Sequence, residues 1–269
     1  MDRGPGALRI TAWLSGNPGD CTDHRRCGGV ALLTIIIENV AETASTNADL
    51  KALVLKGGAP EGYWLRAERQ TGGIGRRGRK WESPQGNLYC STVIDIRPAD
   101  PAPSSLSFVA GLAVHGTIRS VLPDANMMLK WPNDVLVADA KICGILLERV
   151  KDQVIVGIGV NIAITPEVVG RAVTSLAAQG AEIDAPGFLD RLSREFEACV
   201  RLWREAGLAH ILETWQSLAH PLGMAVTTSD DGGEKITGAF AGLEADGALR
   251  LRKADGTLIA IRAGDISIG

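Results

Sequence analysis

The sequence predicts an α+β fold: a mixed or antiparallel sheet with helices, followed by a small all-β barrel. Three observations carry this expectation. Residues 127–130, 135–137, 142–148 and 154–162 are successive short apolar runs, joined by turns at Asp139-Ala140 and Lys151-Asp152. Two helical stretches, 188–205 and 208–219, follow these strands instead of alternating with them. The chain from 221 to 269 then reads as strands again, punctuated by Asp231-Gly232, Asp246-Gly247 and Asp255-Gly256. Such dipeptides suit hairpin turns, because glycine accepts the positive φ that the turn demands.

The earlier elements follow in order. Residues 1–29 are rich in Gly, Pro, Arg and Asp, with no sustained apolar period, and residues 1–33 are expected to form a loose tail. Cys21, His24 and Cys27 in it supply three candidate metal ligands where a structural zinc site takes four. The β-branched run 34–40 predicts a strand. Ser45-Thr46-Asn47 offers N-cap residues for a helix with Asp49 in its first turn. A strand over 63–67 and a glycine- and arginine-rich loop over 71–80 come next. Residues 88–96 place Leu88, Cys90, Thr92, Ile94 and Ile96 on one face of a strand. Ser104 or Ser105 caps a helix to about residue 122, with Leu106, Val109, Leu112 and Ala113 on its buried stripe. His220-Pro221 is expected to end the last helix. The domains expected are 34–220 and 221–269.

The chain has 269 residues with 28 Lys and Arg against 31 Asp and Glu, a formal net charge of −3. Bulk charge therefore points to neither nucleic acid nor an anionic membrane. Five scattered cysteines fit reduced thiols in the cytoplasm better than a disulfide framework. No apolar run approaches the ~20 residues needed to cross a bilayer.

Chemistry concentrates in four segments. Gln70-Thr71-Gly72-Gly73-Ile74-Gly75-Arg76-Arg77-Gly78-Arg79-Lys80-Trp81 combines glycines, which let backbone N–H groups approach an anion, with arginine forks that match phosphate oxygens. It is neither a Walker loop nor a dinucleotide fingerprint, because the Gly-Lys-Ser/Thr ending and a following helix are both missing. Alone, it reads either as an anion cradle or as a basic surface turn. Lys130-Trp131-Pro132-Asn133-Asp134-Val135 reads as a packing turn or as a polar site wall. Lys141 opens the apolar run Ile142-Cys143-Gly144-Ile145-Leu146-Leu147-Glu148, so its ammonium is either solvated or aimed into a site. Cys143 reads as a small core residue. Val156-Gly157-Ile158-Gly159-Val160-Asn161 marks a bulge or a strand on which a ligand lies flat, with Asn161 in need of polar partners.

These segments, with Ser83-Pro84-Gln85-Gly86-Asn87-Leu88-Tyr89, stand in the order found in biotin–protein ligases, and the chain from about Thr34 onward resembles that family. The resemblance implies the biotin/lipoate ligase fold, related to class II synthetases, with an SH3-like C-terminal barrel. It implies biotin and ATP as substrates, with magnesium carried by the nucleotide and no protein side chain assigned to the metal. The partner implied is the biotin carboxyl carrier domain of acetyl-CoA carboxylase, with a homodimer as one allowed assembly.

By the same resemblance, Ser45, Thr46, Asn47 and Gln70 would bind the head of biotin, with Gly75, Arg76, Lys141 and Gly144 completing its site. Arg76, Arg79, Lys80, Trp81, Asn133 and Asn161 would line the ATP and phosphate side. Arg76 would hold the carboxylate and the adenylate phosphate, Arg79 the pyrophosphate end, and Lys141 the α-phosphate region. Asp134 would take or orient the proton of the attacking carrier lysine. One departure is plain: the family usually shows Gly-Arg-Gly-Arg where this chain has Gly73-Ile74-Gly75-Arg76. Lipoate–protein ligases share the implied fold, but their Arg-Arg-x-Ser-Gly-Gly-Gly run is missing here. A biotin-responsive repressor would carry an N-terminal helix-turn-helix reader, and the segment before Thr34 is expected to be too short for one. A non-catalytic vitamin-binding module would not need the phosphate loop together with Lys141.

Overall fold

The computed structural model describes residues 34–229 and 235–268. The expected tail over 1–33, with Cys21, His24 and Cys27, and the Asp231-Gly232 turn lie outside the described residues. Seven strands, β1 (Ile36–Thr43), β2 (Tyr63–Gln70), β3 (Leu88–Asp95), β4 (Met127–Lys130), β5 (Asp134–Val137), β6 (Ala140–Val150) and β7 (Gln153–Val160), form one sheet in the order β1-β2-β3-β7-β6-β5-β4. The sheet is mixed. β1 and β2 pair in parallel, because the helix α1 (Thr46–Leu55) carries the chain back between them, and the remaining pairs are antiparallel.

Ser45 caps α1 as expected, its hydroxyl accepting from the Ala48 N–H at 3.5 Å. α1 covers one face of the sheet over a small core that includes Leu50, Val54, Leu65 and Val93. α2 (Leu106–Val121) and α3 (Ala185–Ser217) cover the other face over the larger core, which holds Trp64, Leu88, Ile94, Phe196, Trp203 and Trp215. Covering both faces explains why β3 is buried from Leu88 to Ile94 on both sides of its alternation, not on one side only. Leu88, Cys90 and Ile94 enter the large core, while Val93 enters the small one.

α3 contains both expected helices, abutting at Gly207, whose φ of 80° and ψ of 178° break the helical path. It ends at Ser217, short of His220-Pro221. Docking, not proline, sets that end: the Leu129 N–H donates to the Leu218 carbonyl at 2.9 Å, and Ala219 bridges to Leu129 of β4. The first hairpin turn is likewise centred on Ala138-Asp139, both at positive φ, one residue earlier than expected. Among the described residues no helix is long and apolar enough to cross a membrane.

The C-terminal strands β8 (Ala225–Ser229), β9 (Lys235–Leu243), β10 (Leu249–Arg252), β11 (Leu258–Ile261) and β12 (Ile266–Ile268) form an antiparallel sheet ordered β11-β10-β9-β8-β12, consistent with the SH3-like barrel expected. Its turns at Asp246-Gly247 and Asp255-Gly256 form as expected. Each aspartate accepts from the N–H two residues on, Ala248 at 3.0 Å and Thr257 at 2.9 Å. Trp131, buried in the turn before β5, donates its Nε1–H to the Gly247 carbonyl at 3.1 Å and so ties this sheet to the larger one.

Candidate active site

One pocket of about 440 Å³ opens on the α1 side of the large sheet. The residues singled out from the sequence all line it: Ser45, Thr46, Asn47 and Gln70 at one end; Gly75, Arg76, Arg79, Lys80 and Trp81 from the glycine-rich loop; Asp134, Lys141 and Gly144 from β5 and β6, with Asn133 just before β5 and Asn161 just after β7.

The first end is a neutral polar shelf built at the N-terminus of α1. The Thr46 backbone N–H and hydroxyl both donate to Gln70 Oε1, at 2.9 and 3.1 Å, and Gln70 Nε2 donates to the Ser83 hydroxyl at 3.3 Å. The buried Ser91 hydroxyl lies 2.7 Å from Thr46 Oγ1 and 2.6 Å from Asn47 Oδ1. Asn47 Nδ2 donates to Glu148 Oε2 at 2.7 Å. Ser91 and Glu148 were missed in the sequence. The signal for Ser91 was its alternation with Tyr89 and Val93, which put it on the pocket side of β3.

The floor is β7. A Cβ at Gly157 would lie 2.2 Å from Asn47 Oδ1, and one at Gly159 would lie 2.7 Å from the Trp81 indole. These glycines therefore clear a flat strand surface, as their spacing suggested. Trp81 lies across Gly159 and Gly144, with its buried Nε1–H unpartnered among the described residues. Asn161, also buried, donates Nδ2–H to the Thr174 carbonyl at 2.9 Å and finds no partner for Oδ1 among the described residues. Both orphaned atoms border the pocket, one a donor and one an acceptor.

The other end is cationic. Lys141 is not solvated at a strand end: its ammonium donates to Asp134 Oδ1 at 2.6 Å, and its side chain is 17% exposed. Arg76 Nη1 donates to Asn133 Oδ1 at 3.3 Å, to the Gly264 carbonyl at 3.1 Å and to Asp265 Oδ1 at 3.4 Å. Burial pushes the Arg76 guanidinium below its ordinary value, with Asp265 and Asp134 pulling it back up. An arginine so placed stays charged. Arg79 pairs with Asp265 Oδ2 at 2.7 Å, whereas Lys80 turns outward to Glu82 at 2.9 Å. Cys143 and Cys90 are buried free thiols whose pKa burial raises, and they have the character of core residues, not nucleophiles. Asp265 and Arg171, which also borders the pocket, were not anticipated.

The biotin/lipoate A/B protein ligase family matches residues 41–161, and the biotin protein ligase C terminal domain matches residues 222–269. A biotin–[acetyl-CoA-carboxylase] ligase of Mycobacterium tuberculosis is 35% identical over 237 residues, covering 86% of this chain and 88% of the relative. The Paracoccus denitrificans enzyme of the same name is 36% identical over 242 residues, 86% of this chain and 99% of the relative. A biotin protein ligase from Aquifex aeolicus, solved in complex with biotin and ATP, superposes with a TM-score of 0.76 at 30% identity, over 87% of this chain and 98% of that one. With the sheet order, the glycine-rich loop and the two-ended pocket already in place, these likenesses show that the chain belongs to the biotin protein ligases of the biotin/lipoate A/B protein ligase family.

Proposed function

We propose that the two ends of this one pocket divide the work of an ATP-dependent ligase that forms biotinyl-5′-adenylate and transfers biotin to a lysine of a carrier protein. The observation that carries the assignment of roles is the juxtaposition of a neutral polar shelf and a cationic end across a glycine floor. Ser45, Thr46, Asn47 and Gln70 offer fixed donors and acceptors to biotin's neutral ureido head. Lys141 and Arg76 face the carboxylate at the far end of its chain, Arg76 also reaches the adenylate phosphate, and Arg79 extends the cationic surface for the phosphates.

Acyl activation requires this arrangement. A carboxylate acylates poorly, so its oxygen attacks the α-phosphate of ATP, the bond to pyrophosphate breaks, and the adenylate remains. Two anions must meet, and fixed cations offset their repulsion in the transition state. Magnesium would enter such a site as an ion carried by the nucleotide's phosphates. When bound it supplies further charge neutralisation. The carrier lysine then attacks the acyl carbon, with Asp134 placed to accept or orient its proton once Lys141 turns to the phosphate.

The division at residue 220 follows from the same reading: 34–220 carries the chemistry and 221–269 forms the appended β-domain. The carrier is the biotin carboxyl carrier domain of acetyl-CoA carboxylase, and the scattered cysteines fit a cytoplasmic enzyme. The test is incubation with ATP, labelled biotin and that carrier domain, with lipoate in parallel. Biotin should label the carrier in an ATP-dependent way. Labelling by lipoate in place of biotin would reassign the chain to the lipoate branch.

A further inference from the structure

The loop from Gln70 to Trp81 contains no acidic residue to balance its own arginines. Arg76 and Arg79 stand side by side, and each guanidinium opposes the charge of the other. The carboxylate that reconciles them comes from the far end of the chain. Asp265 presents Oδ1 to Arg76 Nη1 at 3.4 Å and Oδ2 to Arg79 Nη2 at 2.7 Å, so one carboxylate spans both forks.

The C-terminal sheet builds this carboxylate in. Ile266 pairs with Thr228 across β12 and β8, and the buried Thr228 hydroxyl donates to the Asp265 carbonyl at 3.1 Å. Gly264 has φ of 139°, a conformation that L side chains rarely adopt, and its carbonyl accepts from Arg76 Nη1 at 3.1 Å. Residues 264 and 265 thus form a two-point clamp on Arg76.

The geometry distinguishes a clamp from a plug. Among the described residues, the Arg76 contacts all fall on Nη1, and Arg79 uses Nη2 for Asp265 and Nε for the Arg76 carbonyl at 3.3 Å. Among the described residues nothing else takes Arg76 Nη2 and Nε or Arg79 Nη1, and these face an incoming anion. A carboxylate that takes one edge of each fork orients the free edges, whereas a plug would take them all.

We infer that Asp265 is a positioning residue of the ligation reaction, delivered by the C-terminal sheet to hold Arg76 and Arg79 ready for the phosphates of ATP. This rests on the reading of those arginines as phosphate ligands, and the experiment separates the two. Initial rates are measured over a range of ATP and of biotin for Asp265→Asn, Asp265→Glu, Arg79→Gln and the Asp265→Asn/Arg79→Gln pair, with thermal midpoints for each. The expected result is an ATP KM raised about tenfold in Asp265→Asn, with a smaller rise in the biotin KM, through Arg76 alone, and an unchanged midpoint. Asp265→Glu should recover part of the loss. The pair should be no worse than the poorer single variant, because both changes break one unit. An ATP KM unchanged or lowered in Asp265→Asn, while Arg79→Gln raises it, overturns the inference and leaves the arginine reading intact. An ATP KM unchanged in both overturns both. Should Asp265→Asn fail to fold, Asp265→Glu and Arg79→Lys keep each charge and alter its reach. They carry the same comparison, with a raised ATP KM expected and an unchanged one contradicting the inference.

Discussion

The Lys141 ammonium stands 2.6 Å from Asp134 Oδ1 and 5.4 Å from the centre of the Trp81 ring. This lysine therefore joins three walls of the pocket: β6, which carries it, β5 and the glycine-rich loop. With its side chain 17% exposed and that of Asp134 16% exposed, neither charge is well solvated. Loss of either partner strands the other.

Lys141→Ala should slow adenylate formation by more than tenfold, at least about 1.4 kcal/mol of transition-state stabilisation. The variant removes a cation facing the reacting anions and leaves Asp134 as an uncompensated negative charge beside them. Single-turnover formation of biotinyl-adenylate measures the effect, and an unchanged rate would remove Lys141 from the chemistry.

Arg76→Gly should make the intermediate and lose it. The substitution deletes the contacts to Asn133, Gly264 and Asp265 and frees the loop backbone. Each charge-assisted bond lost to the adenylate is worth roughly 1.5–3 kcal/mol, enough to speed its escape by about one to two orders of magnitude. Exposed lysines of bystander proteins would then be labelled along with the carrier. An Arg76→Gly enzyme that labels only the carrier domain contradicts this.

Ile74→Arg should be tolerated. Ile74 is 50% exposed on the rim of the pocket and bridges to Lys80 through its backbone, so a longer side chain has room. A guanidinium there adds a phosphate contact and should tighten ATP binding by roughly two- to fivefold. A folded variant that has lost ATP binding would show that the loop follows another path when the nucleotide is bound.

Much of the fold was legible because local signals agreed with it. The strands from β4 to β7 are apolar runs between turn residues, and the C-terminal aspartates close their turns with their own side chains. The end of α3 was not legible, since it is set by docking of Leu218 and Ala219 on β4. In the site, the residues from Ser45 to Asn161 were readable because motif and pocket coincide. Asp265 was not, because nothing near it in sequence distinguishes it from a turn residue. Only the fold brings it to Arg76, 189 positions away. Ser91 lay between these cases: its face was readable, its role as a support for Thr46 and Asn47 was not.

Acid should weaken the fold through two histidines. Burial pushes His115 and His220 down to about 4, with Arg119 and Lys130 adding to the respective effects. The unfolded chain takes up these protons near pH 6.5 and the folded one near 4, so the contribution is full above about 6.5 and lost as pH falls toward 4. Each histidine contributes a slope of at most about 1.4 kcal/mol per pH unit. Urea midpoints at several pH values, for the native chain and for His115→Gln with His220→Gln, measure it. The double variant should show a shallower decline between those limits, and an identical decline would assign the acid sensitivity to other groups.

The central claim is that this pocket joins biotin to AMP before any carrier is present. Biotin-dependent exchange of labelled pyrophosphate into ATP, without carrier protein, tests it most directly. The account predicts exchange that requires biotin and that lipoate does not support. Exchange driven by lipoate, or carrier biotinylation by an enzyme incapable of exchange, would contradict it.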